Sequence, residues 1–326
     1  MQEAARDTIY VLLWGDLVET IRGLASVRRI HEANRRARLI LLTTPDYEGL
    51  LKHCPWFGAI ETDALAEGPA GRLMVKRIKI AKPVAVFDLV GNDTSRRIKG
   101  GFRFSRTKWI EAAAKPEPGT HPVEAAAMAL GRAGLGAGAY RLGEAAGPDV
   151  SWVDYLARTS RTLEPEYFGI NGPFALLAPA GDEVKPALRW PKERWASLAH
   201  ALTEARITPA VVGGPSAREV GRYIAERAPG ARDITGKAKL VQLAGLGRRA
   251  RFVFGEDTGL LHLLVAAGPP ALALYPGGEE DPALVAPRGP STVVIMHAPT
   301  LAQVTPEEAM QAMRFAGGFD ETTRAA

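Results

Sequence analysis

Four groups of residues in this 326-residue chain have the types and spacing that chemistry requires. The richest is Phe252 to Tyr275, F-V-F-G-E-D-T-G-L-L-H-L-L-V-A-A-G-P-P-A-L-A-L-Y, which reads as a strand, a polar turn, a short helix and a second strand. Asp257, Thr258, Gly259 and Leu260 open that helix. Its free N–H groups and positive dipole end suit an anion such as a diphosphate. His262 falls in the first turn, beside the same anion. The alternative is that Asp257 or Thr258 only caps the helix and His262 is a packing residue.

The other three groups are also strand exits. Gly15-Asp16 follows the first apolar run, and a carboxylate there can serve as a base, or simply cap the next helix. Lys185 and Arg189 stand ahead of a helix at Trp190-Pro191 and could neutralise a diphosphate leaving group, or be surface charge. Gly213-Gly214-Pro215 permits close backbone approach to a ligand. Glu219, early in the following helix, could accept bonds from ribose hydroxyls or answer the helix dipole.

Several motifs are missing from the sequence. No G-x-G-x-x-G follows the first strand, and there is no Walker A, H-E-x-x-H, G-x-S-x-G or D-x-D. A single cysteine, Cys54, excludes a disulfide framework and a cysteine-based zinc site. No metal and no resident cofactor are expected.

These groups need elements to position them, and the chain alternates apolar strand-length runs with helical patterns. Ile9–Trp14, Leu39–Leu42 and Val84–Val90 read as buried strands, with helices over Leu17–Asn34, around Tyr47–His53, over 64–82 and over His121–Gly134. The rhythm lapses between Gly143 and Gly172, apart from a short helix at Ser151–Thr159, and then restarts. Strands are expected at Phe174–Ala178, Pro209–Val212, Phe252–Phe254 and Ala271–Tyr275. Helices are expected at Lys192–Ala205, Ala217–Arg227, Leu240–Arg249 and Pro306–Phe315. This is an α/β chain of two doubly wound Rossmann-like domains, 1–165 and 166–326, with ligands expected in the cleft between them.

Apolar residues make up 46% of the chain and charged residues 24%, the balance of a soluble globular protein, and no apolar run reaches bilayer length. The polar N-terminus runs into a strand and is not a secretory signal, so the cytoplasm is the expected location. A net charge of +5 suits anionic small molecules or an anionic membrane surface. No dense basic run interleaved with aromatics appears, which lowers the nucleic-acid reading. Arg96, Arg97, Lys99, Arg103, Arg106 and Lys108 are the nearest thing to a basic cluster, to be read equally as a solvated surface.

Taken in order, these segments resemble glycosyltransferase family 9, the heptosyltransferases of lipopolysaccharide core synthesis. The resemblance rests on Gly15-Asp16, on Phe87 to Asn92 followed by Ser95, and on the helix His121 to Leu135. It continues through Trp190-Pro191 with Trp195, Ile234 to Lys237, Asp257 to His262, Pro282 and Ala286 to Gly289. It implies a GT-B fold with the acceptor on the first domain and the donor on the second. The implied reaction is inverting, metal-independent transfer of a heptose or similar sugar from an ADP-sugar to a lipopolysaccharide-core-type glycan.

By the same resemblance Asp16 is the base, Thr258, Gly259 and Leu260 hold the diphosphate with His262 assisting, and Glu219 binds ribose. Leu188 stands where the family carries a lysine, so that charge falls to Lys185 or Arg189. Trp14 stands where the family carries small or polar residues. In the first domain, Asn92, Arg96, Arg97 and Arg103 are expected to meet the acceptor, and the inner face of the inner membrane is a further expected contact. The rival reading is a non-catalytic relative that binds nucleotide sugar or glycan in a regulatory or scaffolding role.

Overall fold

A computed structural model describes residues 7–62, 68–113, 118–135, 145–278 and 281–317. The chain divides into two compact units, Met1–Pro148 and Asp149–Ala326.

The first unit holds strands β1 (Thr8–Leu12), β2 (Arg38–Leu42), β3 (Ala59–Glu61), β4 (Ala85–Asp88) and β5 (Lys108–Glu111). They form one sheet in the order β3-β2-β1-β4-β5, and every pair is parallel. The central strands are buried along their length, as their unbroken apolar runs require. Helices α1 (Leu17–Ala33), α2 (Pro45–Leu51), α3 (Gly68–Ile80), α4 (Asp93–Gly100) and α5 (Pro122–Arg132) follow the strands in turn. Met74 and Ile78 of α3 pack with Ile98 of α4, Phe102, Trp14 and Tyr10 in one core cluster. Ala25 of α1 meets Val123 and Ala127 of α5 in another.

The second unit opens with helix α6 (Val153–Ala157) and contains β6 (Phe174–Ala178), α7 (Lys192–Glu204), β7 (Thr208–Val211), α8 (Arg218–Arg227), β8 (Arg232–Asp233) and α9 (Leu240–Arg249). It continues with β9 (Phe252–Glu256), α10 (Gly259–Ala267), β10 (Ala271–Pro276), β11 (Val293–Ala298) and α11 (Pro306–Phe315). The sheet order is β11-β10-β9-β6-β7-β8, again parallel throughout. Each unit therefore reverses its strand order once, between β1 and β4 in the first and between β6 and β9 in the second. A crevice at the carboxyl ends of the strands opens at such a reversal.

The stretch 149–165, which the loss of strand rhythm assigned to the first domain, packs in the second unit. The Arg248 guanidinium holds Asp154 at 3.0 Å through Nε and 2.7 Å through Nη2, and Gln242 Nε2 donates to the Thr162 carbonyl at 3.0 Å. The expected helix over 64–82 is α3, starting at Gly68; residues 63–67 lie outside the described residues, as does 136–144 of the glycine-rich tract. Helix α4 and strands β3, β5, β8 and β11 had no counterpart in the sequence reading. Three of these strands are two to four residues long and α4 buries only Ser95 and Ile98, so their apolar patterns were too short to stand out. Among the described residues no helix is long and apolar enough to cross a membrane.

Candidate donor and acceptor sites

In the second unit the exits of β6, β7, β8 and β9 are tied to one another by hydrogen bonds. Thr258 is the N-cap of α10, with its hydroxyl accepting from the Leu261 N–H at 3.4 Å. The first-turn amides of Gly259 and Leu260 have no helical carbonyl within reach of their geometry, so they are available to an anion. His262 is 2% exposed, and its Nε2 lies 3.7 Å from Asp257 Oδ1. Asp257 also accepts from the Tyr275 hydroxyl at 3.1 Å. A cap here is compatible with an anion site, because a capping side chain leaves the outermost amides unused.

The residue before this group, Glu256, is a feature that sequence reasoning passed over. Its side chain is 3% exposed at the end of β9. Oε2 accepts from the Ala180 N–H at 2.7 Å and Oε1 from the Trp190 N–H at 2.6 Å. One carboxyl therefore joins the exit of β6, the Trp190-Pro191 loop and the anion turn. Burial pushes its pKa up to about 7, against the pull of the Ala180 and Trp190 amides, the Trp195 indole and Arg189. A glutamate ahead of an Asp-Thr-Gly turn carries no motif of its own; its position at the last residue of a central strand was the available signal.

Trp190 and Trp195 are core residues. They stack edge-on with each other at 5.0 Å and with Phe254 at 5.1 and 4.9 Å, and the Trp190 indole donates to the Val304 carbonyl at 2.9 Å. They anchor the loop whose polar residues line a depression of about 300 Å³ with Asp182, Arg189, Lys192 and Glu219. Arg189 pairs with Asp182 at 3.1 Å and Lys192 with Glu219 at 3.4 Å. Lys192 is thus a cation of this depression that the sequence reading did not single out, whereas Lys185 is exposed and outside its lining. Leu188, at the position of the family lysine, is 42% exposed.

Gly213 serves packing, since a Cβ there would fall 2.6 Å from the Ala217 Cβ, while Gly214 is exposed. The Gly213 carbonyl accepts from the Gly236 N–H at 2.8 Å, and Asp233 accepts from the Thr235 hydroxyl at 2.6 Å, which fixes the Ile234 to Lys237 turn beside it.

In the first unit Asp16 is the exposed N-cap of α1. Its Oδ1 accepts from the Glu19 N–H at 2.8 Å, and Glu19 Oε2 accepts from the Asp16 N–H at 3.0 Å. Gly15 has φ +149°, a conformation that leaves room for the Glu19 carboxylate folding back over it. Gly15 and Glu19 line a depression of about 380 Å³ with Trp14, Arg22, Val90 and Asn92. Tyr47, which had not been singled out, is held near Asp16. Burial first, and then the carboxylates of Asp16, Asp46 and Glu19, raise its phenol pKa.

Asn92 caps α4 by accepting from the Ser95 N–H at 3.0 Å. Arg96 is folded back on the same turn, 2.7 Å from Asp93 and 3.0 Å from the Gly91 carbonyl, and Arg97 is exposed on α4. Arg103 is not in this group. Helix α4 carries the chain back to the amino ends of the strands, where Lys108 pairs with Ala85 and Arg103 follows exposed.

Two parallel α/β units, each carrying polar groups at its strand-order reversal, define a GT-B-type protein. The glycosyltransferase family 9 (heptosyltransferase) model matches residues 94–313, and the chain belongs to that family. A family 9 glycosyl transferase from Veillonella parvula superposes with TM-score 0.77 at 16% identity, covering 97% of this chain and 98% of the other. An Escherichia coli heptosyltransferase solved with ADP gives TM-score 0.73 at 19% identity, covering 95% and 99%. Lipooligosaccharide heptosyltransferase 2 of Haemophilus influenzae is 29% identical over 120 residues, 35% of this chain and 34% of its own length. The match thus spans about a third of that relative.

Proposed function

We propose that this protein is a glycosyltransferase that moves a heptose or similar sugar from an ADP-sugar to a lipopolysaccharide-core-type glycan. The observation that carries the reading is the α10 N-terminus, with Thr258 capping, two first-turn amides open and buried His262 behind them, at the strand-order reversal of the second unit. The relatives' names support the donor and acceptor classes: lipooligosaccharide and lipopolysaccharide heptosyltransferases, and a heptosyltransferase solved with ADP.

In this reading Asp16 accepts the proton of the acceptor hydroxyl as that oxygen bonds to the anomeric carbon. The bond from the anomeric carbon to the diphosphate oxygen breaks with its electron pair, ADP leaves, and the sugar's configuration inverts. The amides of Gly259 and Leu260, with Thr258 and His262, hold the growing charge on the leaving diphosphate, and Arg189 and Lys192 neutralise it without a metal ion. Lys185, exposed on the same loop, reaches the donor only through its flexible stem. Glu219 accepts from the ribose hydroxyls after exchanging Lys192 for the ligand. In the first unit Asn92, Arg96 and Arg97 meet the acceptor. The work is done in the cytoplasm.

The test is ADP release from ADP-heptose in the presence of a truncated core acceptor. Asp16→Asn should lower turnover by about a thousandfold, while thermal stabilisation by ADP stays as in the parent. Unchanged turnover in that variant removes Asp16 as the base. A chain that ADP and ADP-heptose fail to stabilise is not a donor-binding enzyme.

A further inference from the structure

We propose that the amino ends of β4 and β5, with the outer face of α3, form a docking surface for an anionic lipid bilayer. The surface is read from the charge and exposed side chains of the first unit alone and stands independently of the sugar-transfer reading.

Charge is the first observation. Residues 68–108 contain eleven of the chain's 41 lysines and arginines and only two of its 36 acidic residues. Those two acids are spent locally: Asp88 is buried with its Oδ1 accepting from the Val90 and Gly91 amides, and Asp93 pairs with Arg96. The segment thus carries more positive charge than the whole protein, whose net charge is +5, so the rest of the chain is net negative. Of the eleven, Arg77 pairs with Glu61, Lys99 pairs with Glu111, and Arg96 and Arg97 lie at the carboxyl ends on α4. The proposed face therefore carries Arg72, Lys76, Lys79, Lys82, Arg103, Arg106 and Lys108. Cations gathered on one face orient a protein toward an anionic surface.

The second observation is apolar exposure inside that field. Helix α3 buries Met74 and Ile78 and turns Leu73, Lys76 and Ile80 outward, at the three- and four-residue spacing that places side chains on one helical face. Leu73 is 66% and Ile80 70% exposed. Helix α3 then delivers Lys79, Lys82 and Val84 to the start of β4, where with Arg106 and Lys108 they line an open depression of about 500 Å³. Bonds from Thr107 Oγ1 to the Pro83 carbonyl at 2.8 Å and from the Lys108 N–H to the Val84 carbonyl at 3.1 Å fix the loop beside it. On that loop Phe104 is 96% exposed, with the Arg103 guanidinium 5.7 Å from its ring centroid.

Large aliphatic and aromatic side chains standing out among lysines and arginines match the two layers of a membrane interface. The cations meet headgroup phosphates, while Leu73, Ile80 and Phe104 enter the acyl boundary. A nucleic-acid face would present stacking aromatics along a cationic groove, and Phe104 is the one exposed aromatic on this surface among the described residues. The surface lies at the opposite ends of the strands from Asp16 and Asn92, so it can hold lipid while those residues remain open to substrate.

Co-sedimentation of the whole protein with phosphatidylglycerol-containing and pure phosphatidylcholine vesicles tests this. The parent should bind the anionic vesicles preferentially and lose them as salt rises. Lys79→Gln with Lys82→Gln should weaken binding by at least about tenfold and flatten the salt dependence. Leu73→Ser with Phe104→Ser should weaken it by about tenfold at fixed low salt. All four side chains are exposed, so circular dichroism and turnover on a water-soluble acceptor should match the parent. Three results overturn the proposal: equal binding to neutral vesicles, full binding by both double variants, or tighter binding to duplex DNA than to vesicles at matched salt. Self-association that these substitutions abolish without lipid would also overturn it, assigning the face to a second copy of the chain.

Discussion

Asp16 and Glu256 are both acids at the carboxyl end of a central parallel strand, beside the strand-order reversal of their unit, yet they are held in opposite ways. Asp16 is exposed, and its carboxylate and its amide both bond to Glu19, three residues away. Glu256 is buried and bonds to amides 66 and 76 residues away. A carboxylate kept in water by a local cap stays reachable, which suits a base that must meet a substrate. A buried carboxyl clamped by two loops meets no substrate and instead fixes those loops to the anion turn. Under the proposed function the comparison separates a group that reacts from a group that holds a site in shape.

The comparison can be broken by experiment. The largest difference expected is the thousandfold loss in Asp16→Asn, which should come without any loss of global stability beyond that of a cap. Glu256→Ala should do the reverse. Removing the carboxyl leaves the buried Ala180 and Trp190 amides unsatisfied, and urea denaturation at pH 5 should show a loss of about 3 kcal/mol. A loss below about 1 kcal/mol would mean the loops hold themselves.

The pH dependence of stability sharpens the same point. The folded pKa of Glu256, about 7, lies above the ordinary 4.5. As pH rises between those values the unfolded chain releases this proton before the folded one does, so stability falls across the window and levels off above it. The full shift corresponds to about 3 kcal/mol at most. Glu256→Gln cannot titrate, so its stability measured from pH 4.5 to 8 should lack that decline; parallel curves for variant and parent would refute the buried titration.

Two smaller effects address the turns. Gly15→Ala places a Cβ at φ +149° and against the Glu19 carboxylate, and should cost about 1–2 kcal/mol in thermal or urea unfolding. Thr258→Ala removes the α10 cap and should cost about 1 kcal/mol, with weaker stabilisation by ADP. If it weakens ADP binding with no loss of stability, the hydroxyl belongs to the ligand and not to the helix.

Much of the site was legible because its residues sit where local rules write themselves into sequence. Gly15-Asp16, Asn92 and Thr258-Gly259 each join a strand end to a helix start, and the cap, the turn glycine and the open amides all follow from neighbours within four residues. Arg189 and Glu219 were also visible, as polar groups on strand exits. Gly213 was visible as a glycine, while its packing role shows only in the fold, where Ala217 is pressed against it.

The amino-acid sequence by itself determined the alternation of buried strands and helices, the family pattern and the helix terminus that suits a diphosphate, since all three rest on short-range spacing. The tertiary structure alone decided which strands stand side by side at each reversal. It placed residues 149–165 in the second unit, sent Arg103 to the far end of its sheet, and brought Glu256 to Ala180 and Trp190. The physical reason is that parallel strands pair across long crossovers, so hydrogen bonds between their exit loops join residues that no local pattern connects.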